Sequence, residues 1–535
     1  MEFEKVPNYL NSLKQQINQT LKDSSHVDKF LLSYNTLSEI SQHIPKLAVT
    51  PRYSKVIYDL FELFIASVED EENLEEKRGL CLVILTNMYI KCDFIKACKD
   101  PVGSSVYQNS LNCMTAFKFN HDFDQILIHI TKKIEECLYE MFYHSSGSHY
   151  LRSLILALVG VQDRNQYYSK SNNFDNLTVP EVADWRVRVL TSWSEILFKD
   201  FKNLLLNTQA SSTFCLHINI LKIANLLDRK YLMGVIKECI PVVRSVKNSS
   251  YILEACLKCS TNYEYTYIFN ELISNEFQTL CENNYSNYVV QAFIENPHFQ
   301  SSHLQYMIHN MNIVSLMNGR SSSILWKLCK SCIDLYSCQE LFYRKIIYDF
   351  KIEKNEEIWY TVLSAGRTRD DIHIKPAGCS VLGYLVKFQK SIISDLVSSF
   401  KPFFKHVIDS GKFIEVTCDK HFSRVLQNMF DPRLSLIQDK FCKSLLATFE
   451  SNCVALSVNM NGCYVLYNYF LLLKPEDKFK ILSKVVEDYE EIKLKSPKYC
   501  KLMNLSEFKA NPKLFQKKLE KSDSVRELFK DILQT

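Results

Sequence analysis

Ser286–Phe293 reads SNYVVQAF. Val289, Val290, Phe293 and Ile294 fall at i, i+1, i+4 and i+5, which places them on one apolar helix face. Asn287, Tyr288 and Gln291 fall on another face, with Asn287 and Gln291 four apart and therefore adjacent on the helix surface. A second amphipathic segment, TNYEYTYIFNELISN (Thr261–Asn275), comes just before it. Two or three helices in about 36 residues cannot bury their own apolar faces, so this unit needs neighbours of its own kind.

The neighbours are present along most of the chain. GSHYLRSL (Gly147–Leu154), FSRVLQNM (Phe422–Met429), GSSVYQNS (Gly103–Ser110) and GCYVLYNY (Gly462–Tyr469) repeat the pattern. Weaker copies are SSYILEAC (Ser249–Cys256), SSSILWKL (Ser321–Leu328), GCSVLGYL (Gly378–Leu385), YSKVIYDL (Tyr53–Leu60) and SSTFCLHI (Ser211–Ile218). The sixth residue of each copy serves as an anchor: Tyr58, Gln108, Arg152, Leu216, Glu254, Gln291, Trp326, Gly383, Gln427 and Tyr467. Leu216, Glu254, Gln291 and Trp326 follow one another at 38, 37 and 35 residues, the period of a helical repeat array. Longer intervals hold insertions: the polar stretch Gln162–Asp184, the acidic stretch Glu69–Glu76, and Trp359–Leu363, which reads as a degenerate repeat. The expectation is an all-α fold, an α-solenoid of about ten to eleven repeats, curved or U-shaped. Its predicted parts are a helical cap over 1–35, repeats over 36–160, a polar insertion loop over 161–190, repeats over 191–479 and a second helical cap over 480–535.

Composition agrees with this reading. The chain has 535 residues, 47% of them hydrophobic, and only 11 glycines and 13 prolines. So few turn formers argue against a β-sandwich or barrel and leave little for glycine-rich phosphate loops. No nucleotide-binding, zinc-protease or serine-hydrolase motif is present, and no enzyme activity or cofactor is expected. The formal charge is +4, too balanced to imply nucleic acid by composition alone. Nineteen cysteines and an N-terminus without an apolar core segment suggest reduced thiols inside a cell, with no membrane association. The pairs Cys256/Cys259 and Cys329/Cys332 are too far apart for a zinc ribbon and read as packing residues; no metal is expected. The acidic pairs Asp122/Asp124 and Asp370/Asp371 are isolated, and Asp is a common helix cap. The basic run Lys493–Lys501 reads as a solvated face, and Trp185 and Trp193 as core.

Three positions recur on one surface: a small or polar residue, a planar or polar one, and a polar one four residues after the first. A hydrogen-bonding pair beside a flat side chain suits single-stranded RNA, whose bases can be met at their edges and stacked on their faces. The candidate RNA-binding sets are Ser104, Ser105 and Gln108; Ser148, His149 and Arg152; Ser250, Tyr251 and Glu254; Asn287, Tyr288 and Gln291; Ser423, Arg424 and Gln427; and Tyr464 with Tyr467. Arg152 suits a phosphate, as a fork-shaped donor. The sets at Trp326, Gly383 and Leu216 lack a complete hydrogen-bonding pattern.

The unit resembles a Pumilio (PUF) repeat, and Asn287, Tyr288, Gln291 resembles that family's uracil-reading pattern. Ser250, Tyr251, Glu254 resembles its guanine pattern, and Ser423, Arg424, Gln427 and Ser104, Ser105, Gln108 its adenine pattern. GSHYLRSLILALVG (Gly147–Gly160) followed by an insertion, GRSSSILWKLCKSC (Gly319–Cys332) and AGCSVLGYLVKF (Ala377–Phe388) resemble the nucleolar protein nine family. That resemblance, over roughly Thr36–Phe479, implies a non-catalytic monomer that binds pre-ribosomal RNA during small-subunit (18S) maturation in the nucleolus and nucleus, alongside pre-40S assembly factors. In this family the chain runs antiparallel to RNA, so Glu254 and Gln291 imply a 5′-U-G-3′ step. The alternatives are a protein-binding scaffold of HEAT or armadillo type and a PUF-type mRNA regulator, the latter disfavoured by the repeat count.

Overall fold

The computed structural model describes residues 3–23, 25–68, 74–117, 121–161, 179, 181–366 and 372–521. Residues 69–73, most of the Gln162–Asp184 insertion, Asp370/Asp371 and residues 522–535 lie outside the described residues, as does the side chain of Asp122. Among the described residues every element is helical, so the all-α solenoid expected from the repeat is the fold found. No described helix is long and apolar enough to cross a membrane.

The chain divides into two compact units, Met1–Glu271 and Leu272–Thr535. Both are built from one module: a long first helix, a short second helix, and a third helix carrying the motif. In the first unit Leu74–Tyr89, Ile95–Lys99 and Gly103–Ala116 form such a module, followed by His121–Glu135, Leu138–Tyr143 and Ser145–Leu158. In the second unit Ser394–Asp409, Phe413–Cys418 and Phe422–Met429 are an example.

The third helices stack in rows, each packed on the next. The first unit's row runs His26–Ile40, Pro51–Val68, Gly103–Ala116, Ser145–Leu158, Thr208–Ile223, Lys247–Cys259. The second unit's row runs Asn287–Ile294, Ser323–Asp334, Pro376–Leu385, Phe422–Met429, Gly462–Leu471, Pro497–Leu502. His26–Ile40 and Pro497–Leu502 extend the rows beyond the motifs at either side, into stretches expected to be caps. Trp359–Leu363 is not a degenerate repeat. It lies in Ile358–Ser364, the second helix of the module whose third helix is Pro376–Leu385, and it packs on that helix.

The cores are aromatic. In the first unit Tyr89 packs edge-on against Phe94 and Tyr107, and its hydroxyl pairs with Ser110 Oγ at 2.7 Å. In the second, Trp359, Phe400, Phe403, Phe404, Phe422 and Phe430 form one continuous cluster. Arg186, on the helix Asp184–Lys199 that follows the insertion, reaches back to the modules before it. It donates to Asp124 at 2.6 Å and to the Leu158 carbonyl at 3.4 Å. Asp124 is thus committed to a part-buried ion pair. The cysteines of both C-x-x-C pairs are free thiols buried in helix contacts, and burial pushes the Cys256, Cys329 and Cys332 thiols up. Among the described residues no group of His, Cys, Asp and Glu is placed to hold a metal.

Candidate nucleic-acid interface

Several third helices begin at a side-chain cap. Asp100 Oδ1 accepts from the backbone N–H groups of Val102 and Gly103, both at 2.8 Å. His144 Nδ1 does the same for Ser146 and Gly147, Asn283 for Tyr285 and Ser286, Asp419 for His421 and Phe422, and Asn459 for Asn461 and Gly462. Such short acceptors satisfy the orphan donors of a helix start. The cap also fixes register, because the first candidate residue lies four positions after it.

That register corrects one anchor. Asn207 accepts from Ala210 N at 2.9 Å, so Ser211, Ser212 and Cys215 occupy the three positions of this helix. Leu216 is buried core, whereas Cys215 is partly exposed and its thiol lies 3.6 Å from the Tyr251 carbonyl of the next module.

The three positions have distinct environments. The first is buried: Ser250 is 1% and Asn287 6% exposed, and Ser104, Ser148 and Ser423 are buried as well. Ser250 Oγ donates to Lys247 O at 2.8 Å and Ser148 Oγ to Ser145 O at 2.9 Å, each within its own helix. Asn287 Nδ2 donates to Asn283 O at 2.7 Å, and its Oδ1 accepts from Gln291 Nε2 at 3.0 Å. The first-position residues, expected as open contacts, are therefore turned into the helix packing, and Asn287 orients Gln291. The second position is outward: Tyr251 is 40% and Tyr288 50% exposed, His149 and Arg424 are exposed, and Ser105 and Tyr464 are half-buried. At the third position Gln108, Glu254, Gln291 and Gln427 are half-buried.

Two candidates at the third position are displaced from the surface. Arg152 is 7% exposed, and its Nη2 lies 2.5 Å from His149 Nδ1. Burial and the Arg152 charge hold His149 below the usual histidine range, so the ring is a neutral acceptor and the guanidinium is turned toward it. Arg152 is not placed as a phosphate clamp. Tyr467 is 7% exposed, packed into the stack rather than presented for stacking with a base.

Lysines accompany the rings on these helices. Lys55 sits 5.0 Å from the centroid of Tyr58, Lys247 5.6 Å from Tyr251, and Lys387 5.7 Å from Tyr384. Such pairs offer a flat face and a positive charge at one place, which suits a base and its phosphate together.

A further set of residues, not singled out by the repeat pattern, locks adjacent modules. Immediately after the anchors, Asn109 Nδ2 donates to Tyr58 O at 3.3 Å, Asn428 Nδ2 to Gly383 O at 2.9 Å, and Asn468 Nδ2 to Gln427 O at 3.2 Å. Each joins its helix to the anchor carbonyl of the preceding module. The recurrence of Asn just after an anchor was the available signal. Gly383 lies in the last turn of Pro376–Leu385, where carbonyls run out of intrahelical donors. Asn428→Ala is expected to cost about 1 kcal/mol there. Hydrogen exchange at the backbone amides of 384–388 is expected to quicken roughly fivefold, with exchange in the first unit unchanged.

Comparison with known proteins agrees with this architecture. Residues 238–497 match the family model of the NOP9-like PUF repeat domain. Among solved structures, the chain is similar to APUM23 in the structure with GGAUUUGACGG, at a TM-score of 0.77 and 16% identity over 97% of this chain and 100% of that one. It is similar to APUM23 in the structure with GGAAUUGACGG, at 0.75 and 17% over 98% and 100%. No curated protein sequence matches. The three-helix module repeated through both units gives the chain the repeat fold of APUM23, and residues 238–497 within it are a NOP9-like PUF repeat domain.

Proposed function

We propose that this protein binds RNA through the outward side chains of its third helices, without catalysis. The RNA is pre-ribosomal, bound as single strands or structured segments during 18S maturation. The protein acts in the nucleolus and nucleus as a monomer beside pre-40S assembly factors. The observation that carries the reading is the row of second-position side chains, including His149 and Tyr251 in one unit and Tyr288 and Arg424 in the other. They stand exposed on third helices of the two packed rows, with half-buried polar anchors beside most of them. Stacking would supply sequence-tolerant affinity and the cations a salt-dependent part. The half-buried polar anchors would supply base preference at a few positions only. The APUM23 structures of the same fold, with GGAUUUGACGG and GGAAUUGACGG, support RNA as the ligand, and the NOP9-like match supports the ribosomal setting.

Fluorescence anisotropy with a labelled single-stranded RNA pool tests the binding. Affinity is expected to fall steadily with salt, and Tyr288→Ala to weaken it roughly tenfold, the loss of one stacked base. Crosslinking in cells is expected to recover pre-rRNA spacer reads. Binding that is absent at low salt would instead leave a protein-binding scaffold.

A further inference from the structure

Two glycines in one helix do opposite things. At Gly378 an added Cβ would lie 2.2 Å from the Val362 carbonyl oxygen, so packing demands glycine there. At Gly383, an anchor position, an added Cβ would meet only Asn428 Nδ2 at 3.8 Å, an ordinary contact. Packing does not require the glycine at 383, and helix propensity disfavours it. What its missing side chain does is open a groove.

The groove has a volume of about 420 Å³ and crosses three consecutive modules of the second unit. Its floor is Cys379, Ser380 and Gly383. Cys379 is buried, and Ser380 Oγ is tied to Pro376 O at 2.9 Å. One wall is aromatic: Trp326, the anchor of the preceding module, and Tyr384 are stacked, with centroids 5.9 Å apart and planes within 11°. Arg424 and Gln427 of the following module also line the groove, and Lys387 lies beside Tyr384. Flat rings, cations and a central module without an edge-reading side chain make a slot that holds a base mainly by its face; His421, Gln427 and Asn428 of the following module complete the lining.

The geometry points to a slot for one unpaired purine base of RNA, stacked against the Trp326–Tyr384 pair above Gly383, with its phosphate held by Arg424 and Lys387. This rests on the RNA-binding reading and deepens it. A module that lacks any edge-reading pattern is not empty: it takes a base by face area, for which a bicyclic purine offers more than a pyrimidine. The repeat thus trades edge recognition for a stacking socket.

The test is selection from a random 14-nucleotide single-stranded RNA pool by the full chain and by Gly383→Leu, which refills the slot with a side chain that has no edge-reading group. The wild type is expected to enrich a purine at one position that Gly383→Leu no longer enriches. Affinity for the selected RNA is expected to drop at least about fivefold in Gly383→Leu and about tenfold in Trp326→Ala. A 2-aminopurine at that position is expected to be quenched on binding to the wild type and not to Trp326→Ala. Thermal melting is expected to show Gly383→Leu at least as stable as the wild type, which separates blocking from misfolding. Wild-type enrichment of RNA with an unchanged motif and unchanged affinity in Gly383→Leu overturns the slot alone. No enrichment by the wild type overturns the RNA-binding reading itself.

Discussion

Trp359→Ala is expected to cost about 4 kcal/mol and to unravel the middle of the second unit, since removing a buried tryptophan side chain costs roughly 3–5 kcal/mol through lost transfer and an unfilled cavity. Trp359 is fully buried. Its ring stacks on Phe403 at 5.5 Å and contacts Phe400 at 5.0 Å and Phe422 at 6.4 Å, which come from the first and third helices of the next module. One side chain of a second helix therefore joins two modules. The indole N–H also donates to the Leu396 carbonyl at 2.8 Å, and that bond would be lost, leaving the carbonyl to Ser399 Oγ at 3.0 Å. Because each module of a repeat array contacts mainly its neighbours, the loss stays local. Limited proteolysis is expected to cut between residues 339 and 430 at urea concentrations where the wild type is intact. Trp359→Phe keeps the ring packing and drops the hydrogen bond, so about half the loss is expected. Equal resistance of wild type and Trp359→Ala would show that the aromatic cluster does not hold these modules together.

Trp359 also shows where the sequence stopped being informative. Its neighbours are apolar at helical spacing, as in every other segment, so WYTVL resembles a weak copy of the motif. Only the path of the chain shows it to be a second helix. The fold itself was legible because the apolar period and the recurrence of about 36 residues are both local patterns that survive divergence. The register was legible wherever a hydrogen-bonding cap precedes the motif, as Asp100 precedes Gly103 and Asn459 precedes Gly462. At Asn207 the same signal contradicts the anchor Leu216 and points to Cys215; polarity alone did not show it.

Burial of the first candidate position was not legible. Serine or asparagine beside a tyrosine on a helix reads as an open polar face. In the structure the helices approach closely enough to cover Ser250 and Asn287, and their polar atoms turn to carbonyls within the same chain segment. Arg152 is a related case. A guanidinium in a readout triplet suggests phosphate, but its partner is three residues away on the same helix, where His149 accepts it. Spacing shows which side chains share a face; it does not show which of them neighbouring modules then cover.

The glycines give the second large effect, with opposite signs at two positions about 7.5 Å of helix rise apart. Gly378→Ala is expected to destabilise by about 3 kcal/mol, at the upper end of overpacking costs of roughly 1–3 kcal/mol. Its Cβ would fall 2.2 Å from Val362 O, 2.7 Å from Leu363 O and 2.9 Å from Leu363 Cα, all backbone atoms of the second helix, which cannot rotate away as a side chain can. Relief requires the helices Ile358–Ser364 and Pro376–Leu385 to separate. Gly383→Ala, in the same helix, adds a methyl at ordinary contact distance from Asn428 Nδ2 and gains helix propensity, so a stabilisation of up to about 1 kcal/mol is expected. Hydrogen exchange across Pro376–Leu385 measures both: faster in Gly378→Ala, slower in Gly383→Ala. If both variants shift exchange in the same direction, the close helix approach at 378 or the open groove at 383 is misplaced. Opposite shifts would show that one glycine serves the fold, while the other leaves stability unused to keep the groove open.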